Sequence, residues 1–164
     1  MRLTPKTKAF TIKYFLFLGV LFGIFYLPTS EISTLINQAQ TNTTLTILNL
    51  FLNENQLKGI DIWINPHYKI IITQACNGMI PILFLSASIL AYPSRIVNKT
   101  VWLIIGYTVL TIVNIIRLLI VTKVTMVYGS SSFYWIHDIF GNFLLMIFGL
   151  GLFVMFIKTS QTTT

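Results

Sequence analysis

The clearest structural signal in the chain lies at residues 100–121, TVWLIIGYTVLTIVNIIRLLIV, where Arg117 is the one charged residue. A helix that crosses the hydrocarbon core of a membrane needs about 20 predominantly apolar residues. Residues 10–27, 76–92 and 139–157 form three further apolar stretches of similar length. The sequence therefore predicts an all-α integral membrane protein with about four transmembrane helices.

The composition excludes the main soluble classes of protein. Of 164 residues, 55% are hydrophobic and 9% are charged, whereas a soluble domain carries about 25% charged residues. So few charges cannot cover the surface of a water-soluble enzyme, and so high a hydrophobicity excludes disorder. A single cysteine excludes an intramolecular disulfide and a cysteine-rich metal cluster. We therefore predict one membrane domain over residues 1–164, with no cofactor and no nucleic-acid partner.

The distribution of basic residues predicts the orientation. With four spans, one side holds seven basic residues and no acidic residue, and the other side holds all four acidic residues. Cytoplasmic loops carry an excess of lysine and arginine, so we predict a multi-pass protein of the cytoplasmic membrane with both termini inside. We expect residues 10–27 to be retained, because no cleavage site of a signal peptide follows them. The seven residues of the basic side are Arg2, Lys6, Lys8, Lys13, Arg95, Lys99 and Lys158.

The segment 28–75 would lie outside the cytoplasm in this topology. Within residues 29–57, apolar side chains recur at helical spacing between Asn, Gln and Thr. This pattern predicts an amphipathic helix on the outer leaflet, with a break near residues 41–43. Residues 59–73 alternate between apolar and polar around an Asn-Pro turn signal, which predicts a small β-hairpin that delivers the chain to the second span.

Three polar residues are not needed by a plain helical bundle, and the topology places all three near the outer face. The first is Cys76, which lies where the hairpin enters the second span. Amides at a helix start lower the pKa of a thiol in such a position. The sequence thus predicts a reactive thiol, and the alternative is that Cys76 is a small buried hydrophobic residue.

Arg117 is the second, and it lies in an apolar run where an arginine costs about 2.5–3.5 kcal/mol on insertion scales. The helical rise places it in the outer part of the bilayer, with Asn114 three residues earlier on the same face. We predict that Arg117 faces a partner inside the bundle. The alternative is a snorkelling arginine at a helix end.

His137 is the third and opens the fourth span. Gly141 lies one turn along on the same face and would allow another helix to approach closely, whereas Asp138 is expected to point elsewhere. The alternative is an interfacial polar cap. Together, a thiolate nucleophile, an imidazole acid/base and a guanidinium for the oxyanion form the minimum set for acyl transfer at a peptide carbonyl.

Three short motifs resemble those of the exosortase/archaeosortase family. They are Ala75-Cys76-Asn77-Gly78, Asn114-Ile115-Ile116-Arg117 and His137-Asp138-Ile139-Phe140-Gly141. Their order is that of the ACSG-type, NxxR and HxxxG motifs of the family, on the outer ends of successive transmembrane helices, and the resemblance covers residues from about 59 to 157. The chain departs from the family in having Asn77 where Ser is usual, and in having four predicted spans where many members have more.

The resemblance implies a membrane cysteine protease or transpeptidase that sorts exported surface proteins. It would cleave a C-terminal sorting signal, made of a short recognition motif, a transmembrane helix and a basic end, and transfer the protein from a thioester to an acceptor. The resemblance also implies that Cys76 is the nucleophile, that Arg117 stabilises the transition state and that His137 is the acid/base. We expect five residues to bind substrate or to support these three: Asn77, Gly78, Asn114, Asp138 and Gly141.

Two other interpretations are compatible with the sequence. A non-catalytic assembly or transport subunit would use Arg117 as an intramembrane charge, although spans three and four contain no acid apart from Asp138 at their border. A metal site would use His67, Cys76 and His137. The residues do not distinguish hydrolysis from transfer, since both pass through the same acyl-enzyme. The expected partners are membrane proteins with a C-terminal sorting signal and the lipid bilayer.

Overall fold

The computed structural model describes residues 4–28 and 31–161. A 3-10 turn at Gln74–Cys76 precedes the third helix, another at Ser130–Ser132 follows the fourth, and a π-helical turn at Trp135–Gly141 leads into the fifth. The structure confirms the predicted all-α membrane class. The elements of the described residues, in chain order, are α1 (Pro5–Phe25), α2 (Glu31–Asn49), β1 (Leu57–Lys58), β2 (Asp61–Asn65), β3 (Tyr68–Ile71), α3 (Met79–Ala91), α4 (Ile96–Tyr128) and α5 (Asn142–Gln161).

Three helical stretches of the described residues are long and apolar enough to cross a membrane: Pro5–Phe25, Ile96–Tyr128 and Ser130–Gln161. α3 takes the place of the predicted span 76–92 but has 13 residues. It is therefore about 20 Å long, less than a hydrocarbon core of roughly 30 Å. α3 begins late because Gly78 has a left-handed φ of 80°, and it ends at an extended Tyr92 before Pro93.

α4 is the central element, and its 33 residues extend beyond the predicted 100–121 at both ends. Its first half lies within the bundle, where Trp102 and Leu110 are buried. Its second half buries Ile115, Leu118 and Val121 in a second cluster, which includes residues of the sheet and of α2. α4 thus joins the membrane bundle to the part of the chain that carries Cys76.

The helices α1, α3, α4 and α5 run alternately between two ends of the bundle. At one end, which we call the basic end, Phe10 stacks on Phe153 and Asn98 donates a hydrogen bond to Ser160. Six of the seven basic residues predicted to be cytoplasmic are located toward this end, and Arg2 lies outside the described residues. The opposite end, the site end, contains the start of α3 and the start of α5. The side of the membrane that each end faces stays a prediction.

The structure corrects the prediction for residues 29–57. α2 is continuous from Glu31 to Asn49, so the predicted break near residues 41–43 is wrong, and residues 29–30 lie outside the described residues. The helix also turns its polar face inward, because those polar groups find hydrogen-bond partners there, while Ile32 and Leu35 are 54% and 65% exposed. The buried residues of α2 are Ser33, Asn37, Gln40, Thr44 and Leu48.

The predicted β-hairpin is confirmed by β2 and β3, which pair antiparallel with Trp63 opposite Lys69. β1 adds a third strand on the free edge of β2. Ile62, Ile70 and Ile72 are buried in the cluster that also contains the second half of α4. The hairpin is therefore packed against α4, and this packing fixes the turn that follows it.

Candidate active site

The three residues singled out as a catalytic set come together at the site end of the bundle. Cys76 Sγ lies 3.4 Å from His137 Nε2, and Arg117 Nη2 lies 3.2 Å from the same nitrogen. The three side chains belong to the turn before α3, the second half of α4 and the π-helical turn before α5. The sequence-based grouping of these residues is thus matched by their positions in space.

The turn that carries Cys76 is held by the two residues that follow it. Asn77 Oδ1 accepts a hydrogen bond from the backbone N–H of Met79 at 2.9 Å, which caps α3. Gly78 has a positive φ, and a Cβ at this position would lie 2.9 Å from Asn114 Cγ. Asn114 in turn donates a hydrogen bond of 2.9 Å to the backbone carbonyl of Cys76. The predicted supporting residues Asn77, Gly78 and Asn114 therefore all contact the turn that carries Cys76 or the start of α3.

Arg117 is 2% exposed and lies against three elements. Nη1 donates to Asn114 Oδ1, and Nη2 donates to the carbonyl oxygen of His137 and to Asn142 Oδ1, each at 3.2 Å. Gly141 lies directly against the Arg117 side chain, and a Cβ there would collide with Nε. Within the described residues, the buried Nε has no hydrogen-bond partner. The guanidinium is thus held in place by neutral groups and keeps one N–H unpaired.

The imidazole of His137 is oriented from two sides. Its ring stacks on Phe133 with centroids 4.8 Å apart and an angle of 11°. Nδ1 lies 2.7 Å from Asp138 Oδ1. The expectation that Asp138 points elsewhere is wrong, because the turn here is π-helical and neighbouring side chains diverge less than on an α-helix. A carboxylate that accepts from Nδ1–H leaves Nε2 as the basic nitrogen, which faces Cys76 and Arg117.

The pKa of the Cys76 thiol is lowered to about 7. Burial of the thiol raises its pKa, but the hydrogen bonds to His137 and Thr73 together outweigh this effect. The Thr73 hydroxyl lies 3.7 Å from Sγ. Since an unperturbed cysteine titrates near 8.5, Cys76 holds a much larger fraction of nucleophilic thiolate at neutral pH than an ordinary thiol.

A network of buried polar side chains joins the turn that carries Cys76 to α2 and α4, and the sequence did not indicate it. Asn77 is fully buried and donates to Asn37 Oδ1 at 3.2 Å. Gln40 donates to the carbonyl of Asn77 and to Thr111, and it accepts a hydrogen bond of 2.6 Å from Tyr107. The amide of Asn77 thus forms hydrogen bonds with both α3 and α2.

The signals for the residues that were missed are weak but identifiable. In α2, the polar residues recur at helical spacing, so a polar inward face was one of two possible orientations. Asn142 is the polar residue that directly follows the third motif in an otherwise apolar stretch. Thr73 lies one turn before Cys76, and Phe133 lies one turn before His137.

The two alternative interpretations find little support in the geometry. His67 lies in the hairpin turn, where its backbone N–H bonds to Asn65 Oδ1. Among residues 4–28 and 31–161, no three His, Cys, Asp or Glu side chains are grouped as a metal site would require. The groups that accept hydrogen bonds from Arg117 in these ranges are uncharged, so an intramembrane ion pair with an acid is not what holds it.

Comparison with known proteins gives one match. A family model described as "Transmembrane exosortase" matches residues 8–157, which is most of the chain and includes all three motifs. No curated protein and no solved structure matches the chain.

Proposed function

The chain belongs to the transmembrane exosortase family, and we propose that it is a cysteine transpeptidase that cleaves the C-terminal sorting signal of exported membrane proteins. Family membership supports a general role in membrane sorting. The finer proposal is carried by one observation: Cys76 Sγ and Arg117 Nη2 both lie within 3.4 Å of His137 Nε2. A nucleophile, an acid/base and a cation for the oxyanion are thereby within reach of one carbonyl group.

In the first half of the proposed reaction, the thiol proton of Cys76 passes to His137 Nε2, and Sγ attacks the carbonyl carbon of the scissile peptide bond. A C–S bond forms, and the carbonyl π electrons move to oxygen to give a tetrahedral oxyanion. The C–N bond then breaks, and the leaving nitrogen takes a proton from His137 Nε2. The products are a thioester on Cys76 and the free C-terminal signal peptide with its transmembrane helix.

In the second half, the acceptor attacks the thioester carbonyl carbon. His137 Nε2 takes the proton of the attacking amine or water, and the C–S bond breaks to return Cys76 as a thiolate. An amine acceptor gives transpeptidation and water gives hydrolysis, with the same residues in the same roles. Asp138 accepts from Nδ1–H throughout and is a positioning residue for the imidazole.

Arg117 supplies the charge that the oxyanion needs. Its hydrogen-bond acceptors are neutral, and its Nε–H is buried without a partner among the described residues. A donor that is held in position before the reaction stabilises developing negative charge without further reorganisation. We propose that the oxyanion is bound by this guanidinium.

The site is proposed to face the outside of the cell, and the seven-to-zero excess of basic over acidic residues predicted for the opposite end supports this orientation. Reporter fusions after Leu57, Ser94 and Ser131 should report outside, inside and outside. A cytoplasmic signal from the fusion after Ser131 would place His137 on the wrong side for this proposal.

The test of the enzymatic proposal uses tagged exported proteins of the source cell that end in an apolar helix and a basic tail. With wild-type enzyme, at least one should be shortened and should form a hydroxylamine-sensitive adduct on Cys76. Cys76→Ala and His137→Ala should accumulate the full-length substrate, whereas His67→Ala, which alters a histidine in the hairpin turn, should process it normally. Undiminished processing by Cys76→Ala would refute the proposal, and the mass of the new C-terminus separates transfer from hydrolysis.

A further inference from the structure

A groove of about 580 Å³ runs from the catalytic residues toward the basic end of the bundle. The end of the groove nearest the catalytic residues is lined by Gly78, Arg117 and Asn142, which also belong to the site described above. α3 forms its floor and packs against both α1 and α5. At the end nearer the basic end of the bundle, the groove is lined by Tyr14 of α1 and Phe153 of α5. The groove is therefore continuous with the active site.

The walls of the groove suit an apolar occupant inside the bilayer. They are formed by the membrane helices α1 and α5 and by the apolar α3, with Phe84 and Leu150 exposed along them. Ser88 and Gly149 leave room between the large side chains. From Asn142 to Phe153 the groove follows α5 for about 16 Å, or roughly three helical turns.

We propose that this groove binds the first turns of the transmembrane helix of the substrate, directly below the bond that is cleaved. The inference rests on the proposed function, since it extends the same site into the membrane. A polypeptide that reaches Cys76 from within the bilayer must be helical below the site, because its backbone groups have no other partners there. Helices pack in membranes where small residues let their backbones approach, and the groove has such residues beneath Arg117.

Gly149 gives the proposal a direct test. A Cβ at Gly149 would meet no atom within 4 Å, so a larger side chain enters the groove without disturbing the fold. Gly151 lies on the same helix and also has open space around its Cβ position, but it does not line the groove. Gly151→Leu is therefore a matched control for Gly149→Leu.

In membranes with a tagged exported protein that ends in an apolar helix and a basic tail, Gly149→Leu should slow processing at least tenfold. Gly151→Leu should stay within about twofold of the wild type. Alkylation of Cys76 by iodoacetamide should be the same in all three proteins, which shows that the site itself is intact. Equal rates for the two variants, whether fast or slow, would overturn the proposal.

Cross-linking tests the occupant without requiring turnover. A benzoylphenylalanine is placed at Leu150, which lines the groove, or at Met155, which is similarly exposed but lies outside it, in a Cys76→Ala background. The tagged substrate should cross-link from position 150 and not from position 155. Equal cross-linking, none, or adducts with lipid alone would overturn the proposal. Selective cross-linking together with normal processing by Cys76→Ala would leave the docking groove standing while the proposed catalysis fails.

Discussion

Both halves of α4 bury apolar side chains, but only the half near the site end also buries a charged residue. The half near the basic end packs Trp102 and Leu110 against apolar neighbours such as Phe156. The half near the site end buries Asn114 and Arg117, at 0% and 2% exposure. The first half is held mainly by apolar packing, whereas the second half also keeps a buried charge and a buried amide, each of which needs a partner.

This difference indicates that the first half of α4 contributes mainly to the stability of the fold and the second half to the proposed reaction. A buried arginine is expensive in a membrane helix, yet the structure surrounds Arg117 with neutral amides and a histidine rather than with an acid. Neutral partners orient the guanidinium without cancelling its charge. Substitutions in the polar half should therefore change the reaction more than the stability, and substitutions in the apolar half should do the opposite.

The largest expected effect is on the rate when Arg117 is lost. Arg117→Leu removes the oxyanion donor, and loss of such a donor typically lowers the rate by about 10²–10³. Because leucine removes a charge from an apolar run, insertion and accumulation should be equal or better. Processing of the tagged substrate and the amount of enzyme in the membrane measure the two effects separately.

Arg117→Lys is a control that keeps the positive charge but removes the planar guanidinium group. Lysine keeps the positive charge but lacks the planar fork that reaches Asn114, His137 and Asn142. We expect normal accumulation and strongly reduced processing. Near-normal turnover by Arg117→Leu would reduce Arg117 to a structural side chain and would contradict the comparison between the two halves.

Leu110→Ala should have the converse effect in the apolar half. Leu110 is fully buried, and truncation of a buried leucine destabilises by roughly 2–5 kcal/mol. We expect about 2 kcal/mol, at the low end, because lipid tails already solvate apolar groups in the unfolded reference state. Thermal unfolding in detergent measures the loss, and the pH dependence of Cys76 alkylation in the folded protein should not change. A shifted pH profile of alkylation with unchanged stability would contradict the assignment of stability to the first half of α4 and of reactivity to the second.

The membrane class and the three catalytic candidates could be predicted from the sequence because both signals are local. A long apolar run identifies a membrane helix, and Arg117 stands out within one. The family match over residues 8–157 confirms the resemblance that the three motifs suggested. Roles in the reaction are proposals that the variants above test.

The orientation of α2 and the contact between Asp138 and His137 could not be predicted, for physical reasons. An amphipathic helix has a polar and an apolar face. When lipid can surround the protein, either face can be the buried one, so the sequence alone does not predict the orientation of the helix. Asn37 faces inward because Asn77 is there to bind it, and that contact joins residues 40 positions apart. Asp138 contacts His137 because the helix widens locally to a π-helical turn. The spacing of residues in the local sequence does not predict such a turn.

A smaller effect concerns the titration of the thiol. The pKa of Cys76 is about 7, lowered in part by the hydrogen bond to His137. In His137→Ala that bond is lost, so the pKa should rise toward its usual value near 8.5. The rate of iodoacetamide alkylation should then reach half its maximum near pH 7 in the wild type and at least a pH unit higher in the variant. At pH 7, the thiolate fraction and the rate should fall by roughly 15-fold. Coincident profiles would show that His137 does not tune the thiol.

The smallest effect is expected from Asn77→Ser, which introduces the residue usual in the family at this position. A serine hydroxyl can still accept from the Met79 N–H, although more weakly than an Asn side chain. It cannot also reach Asn37, so one buried hydrogen bond is lost, at a cost of about 1 kcal/mol. We expect processing to slow by roughly fivefold, with the thiol still reactive.

A double-mutant cycle decides whether that contact is the cause. Asn37→Ala alone should cost about as much as Asn77→Ser or more, since Asn37 also donates to the carbonyl of Phe25. If the bridge between α2 and the turn is what matters, the double variant should cost clearly less than the sum of the two single variants, because both remove the same bond. Strictly additive losses would show that Asn77 acts through α3 alone. In that case the inward polar face of α2 would be packing around the active site and would not help to position Cys76.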